Sequence, residues 1–370
     1  MMNRFQKNLA QLNEKNRLRS LSKPRGIDFS SNDYLGFLNH PHIVKMAQDA
    51  LANGVYLGAG ASRLLRGHTN SHEALEVYAA DHFKTQKALF FANGYLANTA
   101  IFQSLTTRQD IIIYDELVHA SSRQGIRNTP AHSIKFAHNN MNALEDALKK
   151  THENRRADGL IFVAVESLYS MDGDIAPLHE IVELINKYDA YCIVDEAHST
   201  GVFGDEGEGL SAQDFAGHER AIILHTCGKA LGLSGGIVCA SESIIDTMIN
   251  TARGFVYSTA PSPFQAYLVK GALQLCASQE GQNARAKLQS NITFLKTHFA
   301  DIQSQIYPLI VGEDHRAIEV ANAMQDAGYD VRAIRPPTVP EGQARLRISL
   351  SAKHDIAILE EFIKTLQSVL

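Results

Sequence analysis

Residues 159–196 read GLIFVAVESLYSMDGDIAPLHEIVELINKYDAYCIVDE. The stretch opens on one β-branched run, GLIFVAVES (159–167), and closes on another, AYCIVDE (190–196). Between them, APLHEIVELINKYD (176–189) carries apolar residues at helical spacing and starts with a proline suited to a first turn. Strand, helix and strand in this order predict a right-handed parallel crossover.

The same alternation extends in both directions. KALFFA (87–92), DIIIYDE (110–116) and SIKFA (133–137) precede it, and AIILHTC (221–227) and GGIVCAS (235–241) follow, with a helical pattern at NMNALEDALKK (140–150). Together they predict an α/β domain of three layers, built on a mainly parallel, seven-stranded sheet. After about residue 262 the pattern turns to long helical stretches, then YPLIV (307–311), YDVRAI (329–334), ARLRISL (344–350) and a closing helix from Ile356. The expected division is a basic N-terminal segment (1–29), a large domain (30–262) and a smaller C-terminal α+β domain (263–370).

Composition narrows the function. The 370 residues are 45% hydrophobic with a net charge of −5, which fits a large core and argues against nucleic acid as main partner. No apolar run is long enough to cross a membrane and the N-terminus lacks a signal-peptide core, so a cytoplasmic protein is expected. Cys192, Cys227, Cys239 and Cys276 are too scattered for a disulfide framework and read as small buried apolar residues. The first 27 residues hold seven basic side chains against Glu14 alone, a charge run that reads first as a solvated face.

Two short matches fail in context. Asp195-Glu196-Ala197-His198 spells a helicase box, but the only Gly-Lys pair, Gly228-Lys229, follows the box and lacks the hydroxyl of a phosphate loop. Gly58-Ala59-Gly60-Ala61-Ser62-Arg63 starts like a dinucleotide fingerprint but puts Arg63 at the third glycine and follows no strand. The sixteen histidines form no HExxH pair, and no metal is expected.

Three other features share the place where an open parallel sheet builds its sites, the carboxyl ends of strands: Asn93-Gly94-Tyr95, Asp195 with His198, and Thr226-Cys227-Gly228-Lys229. The chemistry that suits them is that of pyridoxal 5′-phosphate (PLP), whose aldehyde needs a lysine and whose ring nitrogen needs an acid. Lys229 and Asp195 fill those roles, with His198 in reach of the ring hydroxyl. Gly94 and the helix opening at Tyr95 suit the phosphate, with hydroxyls from Ser170 and Thr226. His119, just past the DIIIYDE strand, is placed to lie over the ring.

Nearly the whole chain resembles the α-oxoamine synthase family of fold-type I PLP enzymes. The resemblance rests on FSSNDYLGF (29–37), GAGASRLLRG (58–67), FANGYLANTA (91–100), HASSRQGIR (119–127), SLYSMDGDIAPL (167–178), IVDEAHSTGVFG (193–204), TCGKALGLSGG (226–236), YSTAPSP (257–263) and IRPPTVPEGQARLRISLSAKH (334–354). It implies an aminotransferase-like fold-type I transferase in which Lys229 binds the cofactor covalently, Asp195 pairs with the ring nitrogen, His198 contacts the ring oxygen and His119 stacks on the ring. Gly94, Tyr95, Ser170 and Thr226 match cofactor-holding positions. Ser258 and Thr259 match hydroxyls that reach the neighbouring subunit's phosphate, which implies a homodimer with shared sites.

For substrate, the resemblance implies contacts from Asn32, Ser62, Thr338, Arg347 and Arg19, or Arg17 two residues before it. A guanidinium at Arg347 suits a carboxylate. SSNDYLG and RPPTVP favour the branch that condenses L-alanine with a pimeloyl thioester, of coenzyme A or of a carrier protein, in biotin biosynthesis. Ser62, smaller than threonine, leaves space for the alanine methyl. Glycine C-acetyltransferase is the nearest rival; a PLP aminotransferase and a non-catalytic partner subunit are the readings from other classes.

Overall fold

The computed structural model describes residues 2–370. The chain forms two units: one comprises residues 33–170 and 175–286, the other the N-terminal residues through Asn32 with 171–174 and 287–370. In chain order the strands are β1 (Ile27–Asp28), β2 (Lys87–Phe91), β3 (Ile111–Asp115), β4 (His132–Phe136), β5 (Ile161–Glu166), β6 (Tyr191–Asp195), β7 (Ala221–Thr226), β8 (Gly236–Ala240), β9 (Ile306–Gly312), β10 (Tyr329–Asp330), β11 (Arg332–Ile334) and β12 (Ala344–Ser349).

The larger unit holds the predicted seven-stranded sheet, ordered β2-β8-β7-β6-β5-β3-β4. Neighbours from β7 through β4 are parallel, and β8 alone runs antiparallel to both of its neighbours. All six residues of β5 are buried, as a central strand covered on both faces requires. One core cluster on this sheet gathers Phe91, Ile112, Phe162, Ile193, Leu224 and Val238 with Ala97, Ile101 and Phe102 of helix Gly94–Leu105.

The predicted helix after residue 176 starts at Leu178 rather than on its proline. Pro177 precedes the first turn with non-helical ψ of 71°. Helix Pro263–Ala277 falls in the larger unit and not with the C-terminal region that its sequence pattern adjoins. It packs on helices Pro41–Ala52 and Asn70–His82, and Gly271 makes the approach feasible: a Cβ there would lie 2.0 Å from Met46 Cε.

In the smaller unit, β12 is the middle strand of an antiparallel sheet ordered β11-β12-β9, and β1 pairs in parallel with β10. The YDVRAI run therefore breaks at Val331 and serves two sheets. Arg345 and Arg347, two residues apart on the middle strand, are both buried. Helix Arg4–Glu14 buries none of its residues, in keeping with a solvated basic segment. Among the described residues no helix is long and apolar enough to cross a membrane.

Candidate functional site

Because β8 reverses between β2 and β7, the strands β2, β3, β5, β6 and β7 all point the same way. Their carboxyl ends lead into Asn93-Gly94, His119, Ser170, His198 and Lys229 respectively. Sheet topology thus delivers these residues of the larger unit to one edge.

Asp195 ends β6 and is buried. Its Oδ1 accepts the backbone N–H of Ala197 at 2.9 Å, and its Oδ2 accepts Nδ2 of Asn98 at 2.8 Å. Two donors hold the carboxylate in one orientation. His198, three residues on, is buried with Nδ1 2.7 Å from the hydroxyl of fully buried Tyr34.

Helix Gly94–Leu105 starts at the same edge. Asn93 caps it by accepting the N–H of Leu96 at 2.8 Å, and the N–H groups of Gly94 and Tyr95 have no acceptor within the helix. The helix end lies so close to β7 that a Cβ on Gly94 would stand 2.5 Å from Thr226 Cγ2, and one on Gly236 would stand 2.8 Å from Gly94 Cα. Thr226 donates through Oγ1 to the carbonyl of Ala197 at 3.3 Å, which ties the β7 end to the turn after Asp195. A helix N-terminus, a hydroxyl and a backbone approach without side chains form a cradle suited to phosphate.

His119 caps helix Ala120–Arg127 and is exposed, with Nδ1 2.7 Å from Ser121 Oγ. Crowding by its surroundings lowers its basicity, Lys229 and Arg123 lower it further, and the Asp195 charge opposes them. The fields of Asp195 and Lys229 thus meet at His119. They meet again at Glu166, the β5 residue in register with Asp195. Full burial and Asp195 raise the Glu166 carboxyl well above the usual carboxylate range, against backbone N–H donation from Ser170 and His119.

Sequence reasoning missed Asn98, Ser121, Tyr34 and Glu166. Asn98 sits one helical turn after Gly94, and Ser121 two residues after His119, so proximity in sequence was their only signal. Glu196 of the helicase-like box is buried, and its carboxylate accepts the N–H groups of Leu210 at 3.0 Å and Ser211 at 2.6 Å. It secures a loop. All four cysteines are free and buried.

Ser62, Ser258 and Thr259 lie on a second pair of loops in the larger unit. The carbonyl of Ser62 accepts the N–H groups of Leu65 and Gly67, and Ala260 donates to the carbonyl of Ala61 at 2.9 Å. Their hydrogen bonds join these loops to each other rather than to the Asp195 network. Beneath them, Arg63 makes a buried two-point ion pair with Glu76, at 3.0 and 2.8 Å.

The remaining candidates belong to the smaller unit and meet there in pairs. Arg347 donates to Oδ1 of Asn32 at 3.1 Å, and Arg19 donates to Oγ1 of Thr338 at 3.1 Å. Arg17 is engaged by Asp314 at 3.0 Å and Glu341 at 2.6 Å, which separates it from Arg19. Arg17, Arg19, Ser22, Arg332, Arg335 and Thr338 line a polar cavity of about 580 Å³.

The family described as aminotransferase class I and II matches residues 24–366. The 8-amino-7-oxononanoate synthase of Nitrosospira multiformis is 39% identical over 349 residues, 92% of this chain and 86% of that protein. The solved 8-amino-7-oxononanoate synthase of Francisella tularensis superposes with a TM-score of 0.76 at 26% identity, over 93% of this chain and 97% of that one. A structure of SPT with its PLP internal aldimine superposes with a TM-score of 0.89 at 25% identity, over 100% of this chain and 98% of that one. The chain belongs to the class I and II aminotransferases, in the α-oxoamine synthase family that includes the 8-amino-7-oxononanoate synthases.

Proposed function

We propose that this chain is the PLP-dependent acyltransferase that joins L-alanine to a pimeloyl thioester, giving 8-amino-7-oxononanoate, CO2 and free thiol in biotin biosynthesis. The carrying observation is the fixed Asp195 carboxylate on the strand edge that also bears Lys229, in a chain 39% identical to a curated synthase of that name.

The residues suit the cofactor. The Gly94–Thr226 approach offers a phosphate cradle, and the acceptor-only Asp195 suits a protonated ring nitrogen. When bound, PLP supplies an aldehyde for Lys229 and an electron-withdrawing ring for the substrate α-carbon. Asp195 would hold the ring-nitrogen proton, His198 would orient the ring through its hydroxyl, and Ser170 would add a hydroxyl to the phosphate cradle. The Lys229 amine would take the substrate α-proton. His119 would contact the face of the ring and donate to the thioester carbonyl as charge develops there.

Arg347 with Asn32 receives a substrate carboxylate, Arg19 with Thr338 meets the acyl donor, and Ser62 leaves space for the alanine methyl. The arginine-lined cavity suits the anionic end of that donor. Ser258 and Thr259 serve the phosphate of a second subunit, and exposed Tyr56, Leu57, Leu65, Val77 and Tyr257 supply apolar surface for a homodimer. The proposed site of action is the cytoplasm, where such thioesters are made.

The test is thiol release by cofactor-loaded protein across L-alanine or glycine against pimeloyl-, acetyl- and succinyl-coenzyme A. Release confined to L-alanine with the pimeloyl donor, coenzyme A or carrier protein, is expected. Release with glycine and acetyl-coenzyme A would move the chain to the acetyltransferase branch. Absence of release with every donor, pimeloyl carrier protein included, would overturn the reading.

A further inference from the structure

Four side chains in the larger unit form one hydrogen-bonded line. Asp195 Oδ2 accepts from Asn98 Nδ2 at 2.8 Å, the same amide donates to Ser121 Oγ at 3.0 Å, and that hydroxyl lies 2.7 Å from His119 Nδ1. Asn98 and Ser121 are both buried.

The carboxylate at one end and the backbone N–H of Ser121 at the other set the direction of the line. A carboxylate only accepts, so Asn98 must turn its NH2 group to Asp195, and its Oδ1 is left buried without a partner. Ser121 Oγ receives an amide hydrogen and keeps its own proton available for His119 Nδ1. The backbone N–H of Ser121 points at the same Nδ1, at 3.3 Å, and it too only donates. Nδ1 is an acceptor twice over, so the neutral imidazole carries its proton on Nε2.

We propose that Asn98 and Ser121 are positioning residues that fix His119 as an Nε2–H donor and tie its orientation to Asp195. This rests on the reading of His119 as the residue over the cofactor. An asparagine with one end orphaned is a poor choice for stability alone, and its place between a carboxylate and a serine gives it a directional task. The charged and titratable groups facing His119 are Asp195, Lys229 and Arg123, with Glu166 bound to its backbone N–H. Donation to Nδ1 opposes protonation there, so removing the Ser121 hydroxyl raises the His119 pKa.

The experiment compares holoenzyme of wild type, Ser121→Ala, Ser121→Thr and Asn98→Ala in the thiol-release assay, with PLP affinity measured separately by absorbance titration of the apoprotein. Ser121→Ala is expected to lower kcat about tenfold, with KM for L-alanine within about twofold. The acidic limb of its kcat/KM profile moves to higher pH, and Ser121→Thr recovers most of the loss. Asn98→Ala is expected to show the same changes and to weaken PLP binding about fivefold, since Asp195 loses a donor. Wild-type kcat and an unmoved acidic limb in Ser121→Ala would overturn the proposal, as would a threonine no better than alanine. Should Ser121→Ala not fold, unchanged kcat and PLP affinity in Asn98→Ala would do so. An inactive wild type would refute the proposed function instead, so the two failures are distinguishable.

Discussion

A Cβ added to Gly94 would stand 2.5 Å from Cγ2 of Thr226, closer than two carbons can come without one moving. The N-terminus of helix Gly94–Leu105 and the end of β7 are thus in contact through a backbone that has no side chain at the critical point. Contact at this place keeps the first amides of the helix and the Thr226 hydroxyl within one cradle.

Gly94→Ala should therefore weaken PLP binding by about tenfold or more, because the helix end or β7 must shift by a few tenths of an ångström. Thr226→Ser removes the opposing methyl and keeps the hydroxyl. The double variant is expected to recover a large part of the affinity, measured by absorbance titration. A double variant as weak as Gly94→Ala would place the defect elsewhere than in that contact.

Lys229→Ala should still bind PLP through Asp195, His198 and the phosphate cradle, but without a covalent bond. Borohydride reduction followed by peptide mapping should find the cofactor on Lys229 in wild type and on no peptide of the variant. Thiol release should fall by roughly 10²–10⁴-fold or more, the scale of losing a positioned proton acceptor. A reduced adduct on another lysine in the wild-type protein would contradict the assignment.

Strands were legible in the sequence wherever burial on both faces made them continuously apolar, as in IFVAVE of β5 and YCIVD of β6. The site residues that end such strands were legible for the same reason, since topology carries strand ends to one edge. Asn98, Ser121, Tyr34 and Glu166 were not, because their roles come from hydrogen bonds across elements far apart in sequence. The division of the chain was hidden as well. Helix Pro263–Ala277 joins the larger unit through Gly271, whose meaning depends on Met46 more than two hundred residues earlier. The break at Val331 likewise reflects two different strand partners, β1 and β12, that local propensity does not encode.

Acid should destabilise the protein in part through His72. Its ring is fully buried in the first turn of helix Asn70–His82, with Nε2 2.8 Å from the carbonyl of Pro261. Burial, then the nearby Arg63 charge, push its pKa from 6.5 down to about 4. Between those values the unfolded chain takes up a proton that the folded chain refuses, so stability falls as pH drops through that window. The contribution is roughly 1–3 kcal/mol. His72→Gln, neutral throughout, should show a smaller drop in urea midpoint from pH 6.5 to 4 than wild type. Equal slopes would mean that His72 titrates normally in the folded state.

The last expectation concerns Arg345, which lies on the middle strand of the smaller unit and is almost fully buried. Its Nη1 reaches Asp172 Oδ1 at 2.5 Å and the carbonyl of Met171 at 3.3 Å, while Nε donates to the carbonyl of Gln343 at 3.1 Å. The pair is asymmetric: the guanidinium is buried, whereas the Asp172 side chain is 35% exposed. Removing the carboxylate leaves a buried cation held only by carbonyls, and breaking buried pairs in this way costs about 3–5 kcal/mol. Partial exposure of Asp172 and the two remaining acceptors reduce that to about 1–3 kcal/mol for Asp172→Asn. Arg345→Met in the Asp172→Asn background removes the stranded charge, so the double variant should be more stable than the single one in urea unfolding. If Asp172→Asn alone left the midpoint unchanged, the carbonyls of Met171 and Gln343 would be sufficient partners for Arg345, and the ion pair would contribute nothing to holding residues 171–174 in this unit.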